Sequence, residues 1–208
     1  MYLYLWAKML QRLKTRRLKR IFRPRIEPHI FRDYKVVLMS RFTVDASRVL
    51  EVGCGLKHYA RFSKSEYIGI DIFLRPDIIA SAEALPFRDK CFDRIVIFDV
   101  IEHVKRVDQA LRDCRRVLKP SGLILLLTPN TLGLGIYDSF ADPTHLHHFT
   151  WFSLRKKLHK NGLRAKRILA LHFHILWPFN LIKRDLLYFI QQSICLIAER
   201  EDGAYYSC

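Results

Sequence analysis

Glu51, Gly53, Gly55 and Asp71 carry the first chemical signal in the chain. The two glycines stand in "VLEVGCGLKHYARF", an apolar strand pattern followed by a tight turn and a helical start, the form in which a nucleotide-binding site begins. A dinucleotide site places a third glycine three residues on, where helix and strand pack closely beneath a pyrophosphate; His58 occupies that position. Glu51 lies at the carboxyl end of the strand. A carboxylate there repels a pyrophosphate and attracts an ammonium or sulfonium group. Asp71, sixteen residues after Gly55, ends the next strand, from which a carboxylate can accept hydrogen bonds from both hydroxyls of a ribose. The set suits a cationic nucleoside better than a nicotinamide dinucleotide.

A second group of polar residues follows later strands. "DVIEHV" supplies Glu102 and His103, and "DPTHLHHFT" supplies Asp142, His145, His147 and His148. Ligands of open parallel sheets bind beyond the carboxyl ends of the strands, so both stretches fall where an acceptor would sit. A neutral imidazole near pH 7 can take a proton from an attacking hydroxyl, which makes His103 and His145 candidate general bases. The competing reading is that the histidines order a loop through hydrogen bonds. The H-x-H-H spacing has no cysteine beside it and does not match the usual zinc spacings, so no metal ligand is expected.

The elements that position these residues alternate regularly. "RVLEVG", "YIGIDI", "DIIAS", "DRIVIFDV" and "GLILLLTPN" read as five strands, and "DQALRDCRRVLKP" reads as an amphipathic helix stopped at Pro120 and the Ser121-Gly122 turn. Continuous β-branched and leucine runs suit strands covered on both faces of a parallel sheet. "TWFSLRKKLHKNGL" opens on Thr150, an N-cap residue, and closes on Asn161-Gly162. "RAKRILALHF" and "SICLIAER" read as two final strands, separated by an apolar insertion over residues 174–192.

Residues 1–48 form a different region, with 13 Lys/Arg against 3 acidic residues. Leu3, Trp6, Leu10, Leu13 and Ile21 fall on one helical face, so a basic amphipathic helix is expected before Arg23-Pro24 and Glu27-Pro28 end it. Such a helix packs on its own domain, lies on an anionic membrane surface or binds RNA. The net charge of +16 favours anionic partners. No run of about 18 apolar residues predicts a membrane span. The five scattered cysteines form no framework and point to a reducing compartment. The expected location is cytoplasmic, with peripheral attachment to the membrane face.

The ordered motifs resemble those of the class I S-adenosylmethionine-dependent methyltransferases, in the small-molecule branch. "VLEVGCG" is similar to their first motif, with Glu51 for the commoner Asp, and "YIGIDI" to their second. "AEALPFRDKCFDRIVIFDVIEHV" and "ALRDCRRVLKPSGLILLLTPN" are similar to the runs that follow. The resemblance implies an α/β fold: a doubly wound, Rossmann-like, seven-stranded sheet, mostly parallel with an antiparallel last strand, spanning residues 49–208. It implies S-adenosylmethionine as cofactor. Glu51 would take the methionine amino group, Gly53 and Gly55 would line the turn, and Asp71 with Ile72 would hold the ribose. Ser81, Ala82 and Glu83 would lie by the adenine, with Ser81 where the family usually has Asp, and Asp99 would lie near the sulfonium. A D-x-T-H element of the branch favours His145 over His147 and His148. The implied reaction is methyl transfer to a hydroxyl or carbon of a small-molecule, lipid-linked or glycan acceptor. An RNA methyltransferase is disfavoured by the absence of an N-P-P-[YF] element after the fourth strand. A non-catalytic binding protein is disfavoured by the presence of Glu51, Asp71 and Asp99.

Overall fold

The computed structural model describes residues 29–73, 75–132, 136–169 and 193–201. The helix expected along residues 3–21 and the apolar insertion 174–192 lie outside these residues. The chain divides into two compact units, Met1–Leu38 and Met39–Cys208. The division falls inside helix α1 (His29–Phe42), a helix that the mixed "HIFRDYKVVLMSRF" pattern did not announce.

All seven strands lie in the second unit: β1 (Arg48–Val52), β2 (Glu66–Asp71), β3 (Ile78–Ile79), β4 (Phe92–Phe98), β5 (Leu118–Pro129), β6 (Leu163–Ile168) and β7 (Ser193–Arg200). They form one sheet in the order β3-β2-β1-β4-β5-β7-β6. The first five pair in parallel, and β7 runs antiparallel between β5 and β6, so the expected sheet is the one formed. The strand order reverses direction at β1 and β4, which places the switch point of the sheet at the ends of those two strands.

Alternation explains the burial. Leu50, Ile95, Ile97, Ile124, Leu126 and Leu196 share a core with the apolar faces of α2 (Val107–Val117) and α4 (Trp151–Lys160). Val49, Val96, Leu125 and Leu127, which alternate with them, are equally buried. Both faces of the central strands are therefore covered, as their unbroken apolar runs require.

Two boundaries differ from the sequence reading. The helix expected to reach Pro120 ends at Val117, because Leu118 already pairs with Phe92 of β4. The register then jumps, so that Leu123 faces Arg94 and residues 119–122 bulge out within β5. The third strand is reduced to Ile78–Ile79. At α4, Thr150 forms a reciprocal capping box with Ser153, as its N-cap position suggested. A short helix α3 (Ile136–Ala141) precedes it. No helix among the described residues is long and apolar enough to cross a membrane.

Helices α2 and α4 are tied by one carboxylate. Asp108 accepts from the Asn161 side-chain amide at 2.9 Å and pairs with Lys157 at 3.2 Å and Lys160 at 3.4 Å. The second Asn161 amide proton goes to the Lys157 carbonyl, so this nearly buried side chain has both donors satisfied. The Asn161 hydrogen bond, followed by those from the lysines, holds the Asp108 carboxyl down at about 2. A depressed acid stabilises the fold above its unfolded value of about 3.9 and loses that contribution as pH falls through about 2. Asp108→Ala is therefore expected to lower stability at neutral pH by about 1 kcal/mol, after discounting for partial exposure, and to flatten the acid limb. Urea unfolding at a series of pH values from neutral down into the acid range measures both effects. An acid limb parallel to that of the unsubstituted protein would remove Asp108 as its source.

Candidate active site

The glycine turn is fixed by β2. Gly53 N and Cys54 N both donate to the Ile70 carbonyl, at 2.8 and 2.9 Å. Gly53 has φ 71° and Gly55 φ 53°, in the left-handed region that glycine enters without a Cβ penalty. A Cβ on Gly53 would also fall inside the envelope of the Val100 side chain. Gly53 thus lets the loop after β4 close directly on the turn after β1. Lys57 is left-handed as well, at φ 56°, and the chain continues into a single 3-10 turn, Ala60–Phe62, in place of the expected longer helix. The turn is pinned outside by Lys57, whose ammonium meets Asp77 at 2.7 Å, and inside by Tyr59, whose ring edge packs on Phe98 of β4.

Carboxylates surround this turn. Glu51 is 1% exposed and accepts from the Tyr67 hydroxyl at 2.5 Å. Asp71 accepts from Gly55 N through Oδ2 and from Phe73 N through Oδ1, each at 2.9 Å. Asp77 accepts from Gly69 N at 2.8 Å as well as from Lys57. Their combined field is legible in two neighbouring groups. Burial, then the charges of Glu51, Asp71 and Asp77, push the Cys54 thiol up to about 12. Burial and Glu51 raise the Tyr67 phenol strongly. An additional anion in this turn is disfavoured, and a cation is welcome.

Other residues singled out in the sequence take distinct places. Ile72 is 56% exposed beside Asp71. Ser81 Oγ accepts from Glu83 N at 3.1 Å, which shapes the turn at residues 81–84. Glu83 binds Arg106 through both the backbone N–H, at 2.9 Å, and the guanidinium, at 2.7 Å, and these bonds hold its carboxyl below the usual range. The Glu83 side chain is thereby committed to anchoring the approach to α2, and Ala82 lies half-buried beside it. Asp99, at the carboxyl end of β4, has φ 53°, and its N–H donates to Leu127 of β5. A left-handed non-glycine residue at a strand end stores strain of about 1–2 kcal/mol, as ligand-facing backbone often does.

One residue beyond Asp99, Val100 touches the glycine turn, and a 3-10 turn (Ile101–His103) then carries Glu102 and His103. Glu102 is 1% exposed; its Oε2 accepts from Thr128 Oγ1 at 2.9 Å. Its carbonyl receives the N–H groups of Leu146 and His147, which draws the histidine loop onto the 3-10 turn. His103 and His145 come together, with ring centroids 4.7 Å apart. His147 and His148 point elsewhere: His147 Nε2 bonds the Val104 carbonyl, and His148 bonds Ser139 and stacks on Phe140. Tyr67, Asp77 and Thr128 had no sequence signal, since each acts only through a partner far away in the chain.

The residues around the turn fit a sulfonium nucleoside. They offer a buried carboxylate on β1, a second carboxylate at the tip of β2 and a left-handed strand end after β4, and the cluster of negative charge favours a cation. Each Asp71 oxygen keeps a lone pair after its backbone bond, enough to receive a ribose hydroxyl.

Comparison with known proteins bears on the family and the fold. A family model described as a methyltransferase domain matches residues 50–126. A Mycolicibacterium smegmatis protein, named as a probable S-adenosylmethionine-dependent methyltransferase, is 30% identical over 165 residues, covering 71% of this chain and 64% of its own. The ubiquinone/menaquinone biosynthesis C-methyltransferase UbiE of Bartonella henselae is 41% identical over 68 residues, 33% of this chain and 26% of its own. The chain spans well under half the length of the first curated relatives it matches, for example 39% and 26%. The crystal structure of a SAM-dependent methyltransferase from Archaeoglobus fulgidus superposes with a TM-score of 0.64 at 22% identity, covering 81% of this chain and 94% of that one. At that identity the likeness is one of fold.

Proposed function

We infer that the chain is a member of the class I S-adenosylmethionine-dependent methyltransferase family, and from that premise we propose that it methylates an oxygen or carbon of a small-molecule acceptor, lipid-linked and glycan acceptors included. The observation that carries the reading is the set of carboxylates Glu51, Asp71 and Asp77 about the Gly53–Gly55 turn, with the left-handed Asp99 at the end of β4 and the His103–His145 pair one short turn beyond it. The resemblance of part of the chain to C-methyltransferases of quinone biosynthesis supports carbon as one target.

S-adenosylmethionine supplies an already activated methyl group on a cationic sulfur. The chain's own work is orientation and exclusion of water. Asp71 would receive the ribose hydroxyls, Glu51 would face the methionine ammonium, and the backbone of residues 81–83 would border the adenine. An acceptor hydroxyl must also lose a proton. His103 and His145 each place Nδ1 against a backbone carbonyl, at 3.1 Å to Thr144 and 2.9 Å to Ser139. A carbonyl cannot donate, so Nδ1 carries the hydrogen and Nε2 is the basic nitrogen in the neutral ring.

Calorimetry with S-adenosylmethionine, followed by transfer of labelled methyl to acceptors in a membrane-containing extract, tests the proposal. Saturable binding and a labelled small molecule or lipid are expected. A folded protein that binds no cofactor would refute it. Co-sedimentation with anionic vesicles, compared with RNA binding at the same salt, tests the proposed membrane partner of the basic region; RNA binding alone would favour a nucleic-acid acceptor.

A further inference from the structure

We infer that Glu102, His103 and His145 form a binding site for a divalent transition-metal ion beside the methyl-transfer site. One carboxylate oxygen of Glu102 and one nitrogen of each imidazole lie within 4.8 Å of one another. Ligands of a single tetrahedral ion with bonds of about 2.1 Å stand about 3.4 Å apart, so the three atoms must draw together by at most about 1.4 Å to close on one ion.

The surroundings prepare each group as a ligand. His103 Nδ1 lies 3.1 Å from the Thr144 carbonyl and 3.0 Å from Thr144 Oγ1. The Thr144 hydroxyl proton is already given to Asp142 Oδ1, at 2.6 Å, so both Thr144 oxygens accept and His103 Nδ1 donates. His145 Nδ1 donates to the Ser139 carbonyl at 2.9 Å. Both rings are held in the tautomer that presents the Nε2 lone pair. An Nδ1–H on a backbone carbonyl is the arrangement that orients metal-binding histidines. Glu102 is likewise oriented, by Thr128 at Oε2. Asp142 Oδ2 stands 4.0 Å from His145 Nε2 and adds a second negative charge at the rim.

Two imidazoles and one carboxylate suit a transition ion better than magnesium or calcium, and three protein ligands leave coordination positions open. Glu102 and His103 follow Asp99 within four residues, so an ion held there would lie beside the proposed methyl-transfer site. This role, unlike the site itself, rests on the methyltransferase reading. With the ion bound, Nε2 of both rings is occupied and the ion takes the place of the imidazole base: an acceptor hydroxyl bound to it would have its pKa lowered and release its proton to water, leaving the oxygen as nucleophile.

The test uses the full chain after chelation. Zn2+ titration by calorimetry, and Co2+ titration by visible absorption, should show one saturable site per chain. His103→Ala and His145→Ala should each weaken Zn2+ binding roughly tenfold or more and change the Co2+ spectrum. His159→Gln, at a histidine paired with Glu201 on α4, should leave both unchanged. Because Glu102 is buried, Glu102→Gln is read only alongside a thermal melt; the two histidine variants carry the test if it fails to fold. Zn2+ binding that persists unchanged in the His103→Ala/His145→Ala double variant, or a folded protein that binds neither ion, would overturn the site. Methyl transfer at full rate by the chelated protein would overturn its role. S-adenosylmethionine binding by the metal-free protein is measured in parallel, so loss of the metal site and loss of the methyltransferase reading give different results.

Discussion

Asp71→Asn is expected to weaken S-adenosylmethionine binding by about 30- to 150-fold while leaving the protein folded. The figure corresponds to about 2–3 kcal/mol, the usual loss when a charge-assisted acceptor is removed from a buried or half-buried partner. The substitution preserves shape. It replaces a carboxylate that accepts at both oxygens by an amide that accepts at one. In the present arrangement Oδ2 holds Gly55 N and Oδ1 holds Phe73 N. An amide can satisfy only one of these and offers the other, or a ribose hydroxyl, a donor. The loss therefore falls on both the cofactor and the turn that receives it. Calorimetry of the variant, with a thermal melt to establish folding, measures the effect. Asp77→Asn is the informative comparison, since Asp77 adjoins the same turn but serves Lys57 and Gly69. It should cost stability with a much smaller change in affinity. Equal affinity of Asp71→Asn and the unsubstituted protein would remove Asp71 from the ribose site.

The framework behind this prediction was largely legible in the sequence, for a physical reason. Strands buried on both faces are written as unbroken apolar runs, and β1, β4 and β7 fall where those runs do. A glycine turn after the first and an acid at the end of the second follow from what a nucleoside needs at a switch point. What the sequence withheld was set by competition or by distance. The helix before β5 loses its last residues because Leu118 gains a strand partner in Phe92. The expected helix after Gly55 shrinks to one 3-10 turn, as Lys57 turns left-handed and reaches Asp77. Helix α1 carries no clean apolar stripe. The side-chain ties join residues 16, 20 and 53 positions apart: Glu51 with Tyr67, Lys57 with Asp77, Asp108 with Asn161. Spacing along a chain does not encode such meetings, because they depend on where two strands or helices are brought side by side. The histidine loop shows both cases. Four histidines of similar appearance separate into a juxtaposed pair and two that brace the loop only once Glu102 has gathered the loop onto the turn after β4.

Gly53→Ala should be the most damaging glycine-to-alanine substitution among the described residues, through two separable terms. At φ 71° an alanine suffers the left-handed penalty of about 1–2 kcal/mol. Its Cβ also enters the space held by Val100 Cγ2, and overpacking of this kind costs about 1–3 kcal/mol. A loss of about 2–5 kcal/mol follows, a large share of the total stability of a domain of this size. Function should suffer beyond stability, because the only escape is to push Val100 outward. Val100 lies between Asp99 and the turn bearing Glu102 and His103, so its displacement separates the two halves of the site. Shortening Val100 tests the steric term alone. In a double-mutant cycle, Gly53→Ala/Val100→Ala should be more stable than the sum of the single effects by about 1–3 kcal/mol, while the backbone term remains. Gly53→Asn provides the converse check, since asparagine tolerates the left-handed region but is larger; it should gain on the first term and lose on the second. Chemical denaturation of the four cycle members gives the coupling directly. Strict additivity would mean that the backbone conformation alone demands glycine at this position, and that the loop after β4 does not lean on the turn after β1.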